Sequence, residues 1–151
     1  MEQIIQLNSN AKLSEHFTLG EFTRSGSHPE VYNIPSHEAI ENMKRLCIWL
    51  EELRQRYNAP IRINSGYRSP QLNRAIGGVA NSNHLTGCAV DIRVSGMEQL
   101  IRYAAILLDY ADETHQEFDE LLIEKNRYGA IWLHFAVRPS NNRRKVSLIQ
   151  A

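Results

Sequence analysis

A chain of 151 residues is of a size for one domain, and its 42% hydrophobic and 23% charged residues are the balance of a soluble globular protein that needs no disulfide staples. Seventeen basic residues offset seventeen acidic ones, which excludes a whole-protein field for gathering nucleic acid or an anionic membrane. No run approaches the ~20 apolar residues of a membrane-spanning helix. The start, Met1-Glu2-Gln3-Ile4-Ile5, lacks the basic and apolar regions of a signal peptide, so the expectation is synthesis in the cytoplasm.

In chain order, Ala11 to Ile34 reads as an irregular segment with short helical turns, pinned by Phe17, Leu19 and Phe22. A long helix is predicted after Pro35, capped by Ser36. Ile40, Met43, Leu46, Cys47, Leu50 and Leu53 recur along it at helical spacing, and Asn58-Ala59-Pro60 ends it. Ile61 to Asn64 reads as a short strand, Ser65 to Pro70 as a turn into a short helix, and Gly77 to Asn83 as a polar loop. The run Cys88 to Val94 alternates in the strand period. A second helix follows, with Met97, Leu100, Ile101, Ala104, Leu107 and Leu108 expected on its buried side. Leu121–Glu124 and Ile131–Val137 form a hairpin around Gly129. The fold class is α+β, helices packed on a small, largely antiparallel sheet. Cys47 and Cys88 read as small buried residues rather than a disulfide.

Strand parity supplies the chemical clue. Asp91 lies opposite the aliphatic face of its strand, and His134 lies opposite Leu133 and Phe135. In the hairpin partner, Glu120, Leu122 and Glu124 alternate with Leu121 and Ile123. If these strands are neighbours, one sheet face carries carboxylates and an imidazole. His84 stands seven residues before Asp91, and Gly87 allows a turn that folds the histidine back beside the aspartate. Two imidazoles and one carboxylate suit a tetrahedral zinc with one position open, the catalytic rather than the closed structural pattern. Spacing and parity alone favour the plainer reading, a strand aspartate in a turn or a salt bridge.

Three motifs add a resemblance. Ser82-Asn83-His84-Leu85-Thr86-Gly87-Cys88-Ala89-Val90-Asp91 is similar to the Ser-x-His-x-x-Gly-x-Ala-x-Asp motif of the zinc D-alanyl-D-alanine carboxypeptidases and related L-alanyl-D-glutamate endopeptidases, phage endolysins among them. Ser65-Gly66-Tyr67-Arg68-Ser69 resembles that family's Ser-Gly-Tyr-Arg turn, and Trp132-Leu133-His134 its Trp-x-His strand. Leu13 to Phe22 is also similar to one branch of the family, so the resemblance runs from about Leu13 to Val137. It implies a Hedgehog/DD-peptidase-like fold and one zinc peptidase domain over residues 1–151, with its core at about 13–137. It also implies that His84, Asp91 and His134 hold Zn2+, that Arg68 binds or polarises the scissile carbonyl, and that Ser82 helps hold the substrate or orders the ligand loop.

Several relatives carry a catalytic acid three residues before the last histidine, where this chain has Ile131. The expected general base is therefore Glu124, with Glu120 and Asp119 as runners-up. The implied activity is hydrolysis of stem peptide in bacterial peptidoglycan, at D-Ala-D-Ala or L-Ala-D-Glu bonds. The expected actor is a monomer that binds no nucleic acid and inserts in no membrane. A phage or prophage lysis enzyme, released to the wall, is the preferred setting. The alternatives are a zinc-retaining, catalytically weak wall-binding module and a phage structural module. His16, His28, His37 and His115 read as surface or turn residues, and Trp132 as packing beside the site. Tyr67 reads equally as a groove residue or a turn anchor, and Arg143-Arg144-Lys145 as a solvated end.

Overall fold

The computed structural model describes residues 8–25 and 28–151. Met1 to Ile5, on which the signal-peptide expectation rests, lie outside them. The chain opens with a short helix α1 (Leu19–Thr23), whose Glu21 carboxylate accepts from the Thr18 N–H at 3.2 Å. The long helix α2 (His37–Tyr57) starts as its sequence predicts, with the Ser36 hydroxyl accepting from Ala39 N–H at 3.1 Å. It stops at Asn58, whose left-handed φ of 60° is one that asparagine tolerates. Then come β1 (Ile63–Ser65), α3 (Pro70–Ala75), a 3-10 turn at Asn83–Thr86, β2 (Ala89–Arg93) and α4 (Met97–Thr114). The chain ends with β3 (Glu120–Lys125), β4 (Ile131–Ala136) and β5 (Lys145–Gln150).

The five strands lie in the order β1-β2-β4-β3-β5, antiparallel except for the parallel pair β3 and β5. One face of the sheet, with Val90, Ile92, Leu121, Leu133 and Phe135 fully shielded, packs on α2 and α4. Trp49 of α2 fills the centre, its ring 5.4 Å from that of Phe135 and 6.3 Å from that of Phe118. Burying each such side chain contributes about 1.5–3 kcal/mol, so the helical layer fixes which face of each strand is left for chemistry. Cys47 and Cys88 are buried and unbridged, and burial pushes the Cys47 thiol up to about 12. Among the described residues, no helix is long and apolar enough to cross a membrane.

Three features depart from the sequence expectations. The buried stripe of α4 is Leu100, Tyr103, Leu107 and Ala111, whereas Met97 and Ile101 are exposed. Tyr103 stacks edge-on against Tyr57 at 4.8 Å, and this aromatic pair rotates the helix away from its most aliphatic side. β1 runs over Ile63–Ser65 rather than from Ile61, and its register against β2 shifts between Ile63 and Ser65. The expected solvated end at Arg143-Arg144-Lys145 instead leads into β5. Arg143 bonds Asp119 at 2.8 Å, Arg144 bonds Asp112 at 2.7 Å, and Lys145 pairs with Glu120.

Candidate metal centre

The sheet face away from the helices carries the site. Asp91 of β2 and His134 of β4 are register partners, so their side chains stand side by side on it. On the other flank of β4, Leu122 pairs with His134, which places Glu120 and Glu124 one step to either side on the same face. His84 comes from the 3-10 turn. Ser82 caps that turn by accepting from His84 N–H at 3.1 Å, and Gly87 reverses the chain at φ 75°. A Cβ on Gly87 would lie 2.5 Å from the Ala39 carbonyl oxygen, so the turn also packs closely on α2.

Each histidine has an inner and an outer nitrogen. His84 Nδ1 lies 2.6 Å from the Gly66 carbonyl, which can only accept, so Nδ1 carries the proton and Nε2 is left to bind. That Nε2 lies 3.3 Å from Asp91 Oδ1. His134 turns Nδ1 to the same oxygen at 3.0 Å and Nε2 to Glu120 Oε1 at 2.9 Å. All three residues are buried, and their ligand atoms lie within 4.8 Å of one another. They form a group that could hold a metal ion. The donor set of two imidazoles and a carboxylate fits zinc, and both outer nitrogens are held by oxygen acceptors, as metal-ligating histidines require.

The electrostatics favour a cation at this point. Burial alone would raise Asp91, but His84 and His134 hold its carboxyl well below the usual range. Burial alone would lower His134, but its bonds to Asp91 and Glu120, with Glu124 nearby, raise it well above the usual imidazole range.

The other residues singled out in the sequence gather here to different degrees. Arg68 sets one guanidinium nitrogen 3.4 Å from Asp91 Oδ2, and its own N–H donates to the His84 carbonyl at 3.0 Å. Burial lowers the Arg68 pKa, opposed by the charges of Asp91 and Glu124. Glu124 Oε1 accepts from the Trp132 indole N–H at 2.9 Å and lies 3.6 Å from His134 Nδ1, the inner nitrogen. Glu120 is on the outer nitrogen instead. Asp119 is fully buried and engaged by Arg143, Arg138 and the Asn83 amide, which hold it at about 2 although burial opposes them. Tyr67 is buried in the core cluster, and its backbone N–H donates to the Phe22 carbonyl at 2.7 Å.

Two participants escaped the sequence reading. Gly66 supplies the carbonyl that orients His84, and a Cβ there would lie 2.8 Å from the Phe22 backbone. Its place in the Ser-Gly-Tyr-Arg turn was the available signal. Asn83 donates to Glu120 at 2.7 Å and to Asp119 at 2.8 Å, tying the ligand turn to β3. Its only sequence signal was its position beside His84.

A family model described as Peptidase M15 matches residues 15–120, well over half of the chain. No curated protein matches it.

Proposed function

The chain belongs to the Peptidase M15 family, and from that premise we propose that it is a zinc metallopeptidase that hydrolyses peptide bonds in the stem peptide of bacterial peptidoglycan. The observation that carries this reading is the meeting of His84 Nε2, His134 Nδ1 and Asp91 Oδ1 on one sheet face, beside the Glu124 carboxylate. His84, Asp91 and His134 are the residues that would hold the ion. When bound, zinc supplies Lewis acidity that makes water a nucleophile near neutral pH and polarises a carbonyl.

The chain's own groups do the rest. Glu124 takes the proton of the attacking water and delivers it to the leaving amine, so that one peptide bond and one water become a carboxylate and an amine. Trp132 holds the Glu124 oxygen in place through its indole N–H. What favours Glu124 over Glu120 is the nitrogen each faces: Glu124 is near the inner nitrogen of His134, while Glu120 braces the outer one. Arg68 steadies Asp91 and offers a fixed positive charge to the oxygen of the reacting carbonyl. Ser82 orders the ligand turn, and Tyr67 anchors the turn that carries Arg68.

The test is digestion of purified peptidoglycan by zinc-loaded protein, with mass spectrometry of the muropeptides. New termini within the stem peptide, absent with His84→Ala, are the expected result, and the fragment masses identify the bond. Zinc-loaded protein that binds peptidoglycan yet releases no new termini would overturn the reading in favour of a binding module.

A further inference from the structure

A second polar site lies at the β1 edge of the sheet, and the chemistry above makes no use of it. Here a pocket of about 420 Å³ is lined by Arg24 after α1, Arg54 of α2, Arg62 before β1 and Arg93 at the end of β2. Arg93 N–H donates to the Arg62 carbonyl at 2.9 Å, so these two side chains leave the backbone side by side. Among the described residues, no carboxylate lies within ion-pair distance of any of the four. Other arginines of the chain, including Arg56, Arg138, Arg143 and Arg144, do have carboxylate partners. The single acid in the lining, Glu21, is turned to the Thr18 N–H at 3.2 Å. His16, also in the lining, lies 2.6 Å from Glu51. The buried Phe17 and Ile61 also contribute to the lining.

Four like charges line this pocket beside the single carboxylate of Glu21 and repel one another, in a chain whose formal net charge is zero. A bound anion relieves that repulsion. The guanidinium fork matches the paired oxygens of carboxylate or phosphate, and four such forks exceed what one monoanion can engage. We propose that this pocket is a binding site for a ligand carrying two or more oxyanion groups, carboxylate or phosphate, gripped by Arg24, Arg54, Arg62 and Arg93. The site is separate from the metal ligands and stands whether or not the chain is a peptidase.

Isothermal titration of the full chain at low ionic strength, with tricarballylate and with tripolyphosphate as probes, tests this. At least one probe should bind saturably, and the stronger one tells carboxylate from phosphate chemistry. Binding should weaken with added salt and fall at least about tenfold in the Arg62→Ala/Arg93→Ala double variant, since charge-assisted hydrogen bonds are lost. Arg24→Ala/Arg54→Ala should fall likewise, which keeps the test sound if one variant misfolds. Arg127→Ala, on the β3–β4 loop, should bind as the unaltered chain does. His84→Ala should also bind unchanged, because chelation at the metal centre is not involved. Failure of both probes to saturate, equal binding by the arginine double variants, or loss of binding in His84→Ala would overturn the proposal.

Discussion

Trp132 and Glu124 face each other across the β3–β4 hairpin as register partners, and the indole N–H donates to Glu124 Oε1 at 2.9 Å. The bond fixes a carboxylate that otherwise swings on three rotatable bonds. Trp132→Phe keeps the ring and removes the donor. It should lower kcat about tenfold with KM and zinc content little changed, because it acts on the position of the base rather than on binding. Steady-state kinetics on a defined muropeptide, with metal analysis of the same sample, checks this. An unchanged kcat would mean that the indole is packing alone.

The two carboxylates beside His134 should separate cleanly. Glu124→Gln should keep zinc affinity and lose at least about 100-fold in kcat, the usual size of general-base help. Glu120→Gln removes the charge that holds the outer nitrogen of His134 at 2.9 Å. It should weaken zinc binding by about 10–100-fold and reduce activity only as occupancy falls, so that excess zinc restores it. Competition with a chromogenic chelator measures the affinity. The reverse pattern would exchange the roles of the two residues.

How much of this was legible in the sequence follows from the range of each interaction. Ser36, the α2 stripe and the Gly87 turn are local, and each formed where its spacing placed it. Parity along β2 and β4 put Asp91 and His134 on the chemical face, although only the sheet shows that residues 43 positions apart are partners. The nitrogen that each histidine presents depends on the Gly66 carbonyl and on Glu120, which no periodicity reports. β5 was missed because it is an edge strand whose Val146 and Leu148 stay exposed, so its alternation buries little. The α4 stripe formed as expected at Leu100 and Leu107, but aliphatic spacing took in Met97 and Ile101 and left out Tyr103, which packs inside the helical layer.

Asp119 should make the fold acid-sensitive in a defined window. Its folded pKa of about 2 lies below the value of about 3.9 expected when unfolded. A depressed carboxylate contributes stability above its unfolded pKa and loses it as pH falls through the folded value. The contribution is therefore full above about pH 5 and fades toward pH 2, and is worth about 2–3 kcal/mol. Asp119→Asn should melt lower than the unaltered chain at pH 7, and the gap should close toward pH 2. Thermal melts across that range read it directly. Parallel curves would show that the Arg143 and Asn83 contacts stabilise nothing.

Gly87 couples the proposed metal ligands to the helical layer, so its substitution should be felt in both. Alanine there must adopt φ 75°, and its Cβ would lie 2.5 Å from the Ala39 carbonyl oxygen in the α2 backbone. Neither strain is relieved by rotating a side chain. Forcing a positive φ and overpacking against backbone each cost about 1–3 kcal/mol. For a chain of this size, such a loss lowers the melting temperature by roughly 4 °C or more. The same shift moves the turn that carries His84 relative to Asp91, so zinc affinity should fall together with Tm. Differential scanning calorimetry with and without zinc separates the two effects. A variant that melts normally and binds zinc normally would mean that the turn can rebuild without leaving the α2 surface.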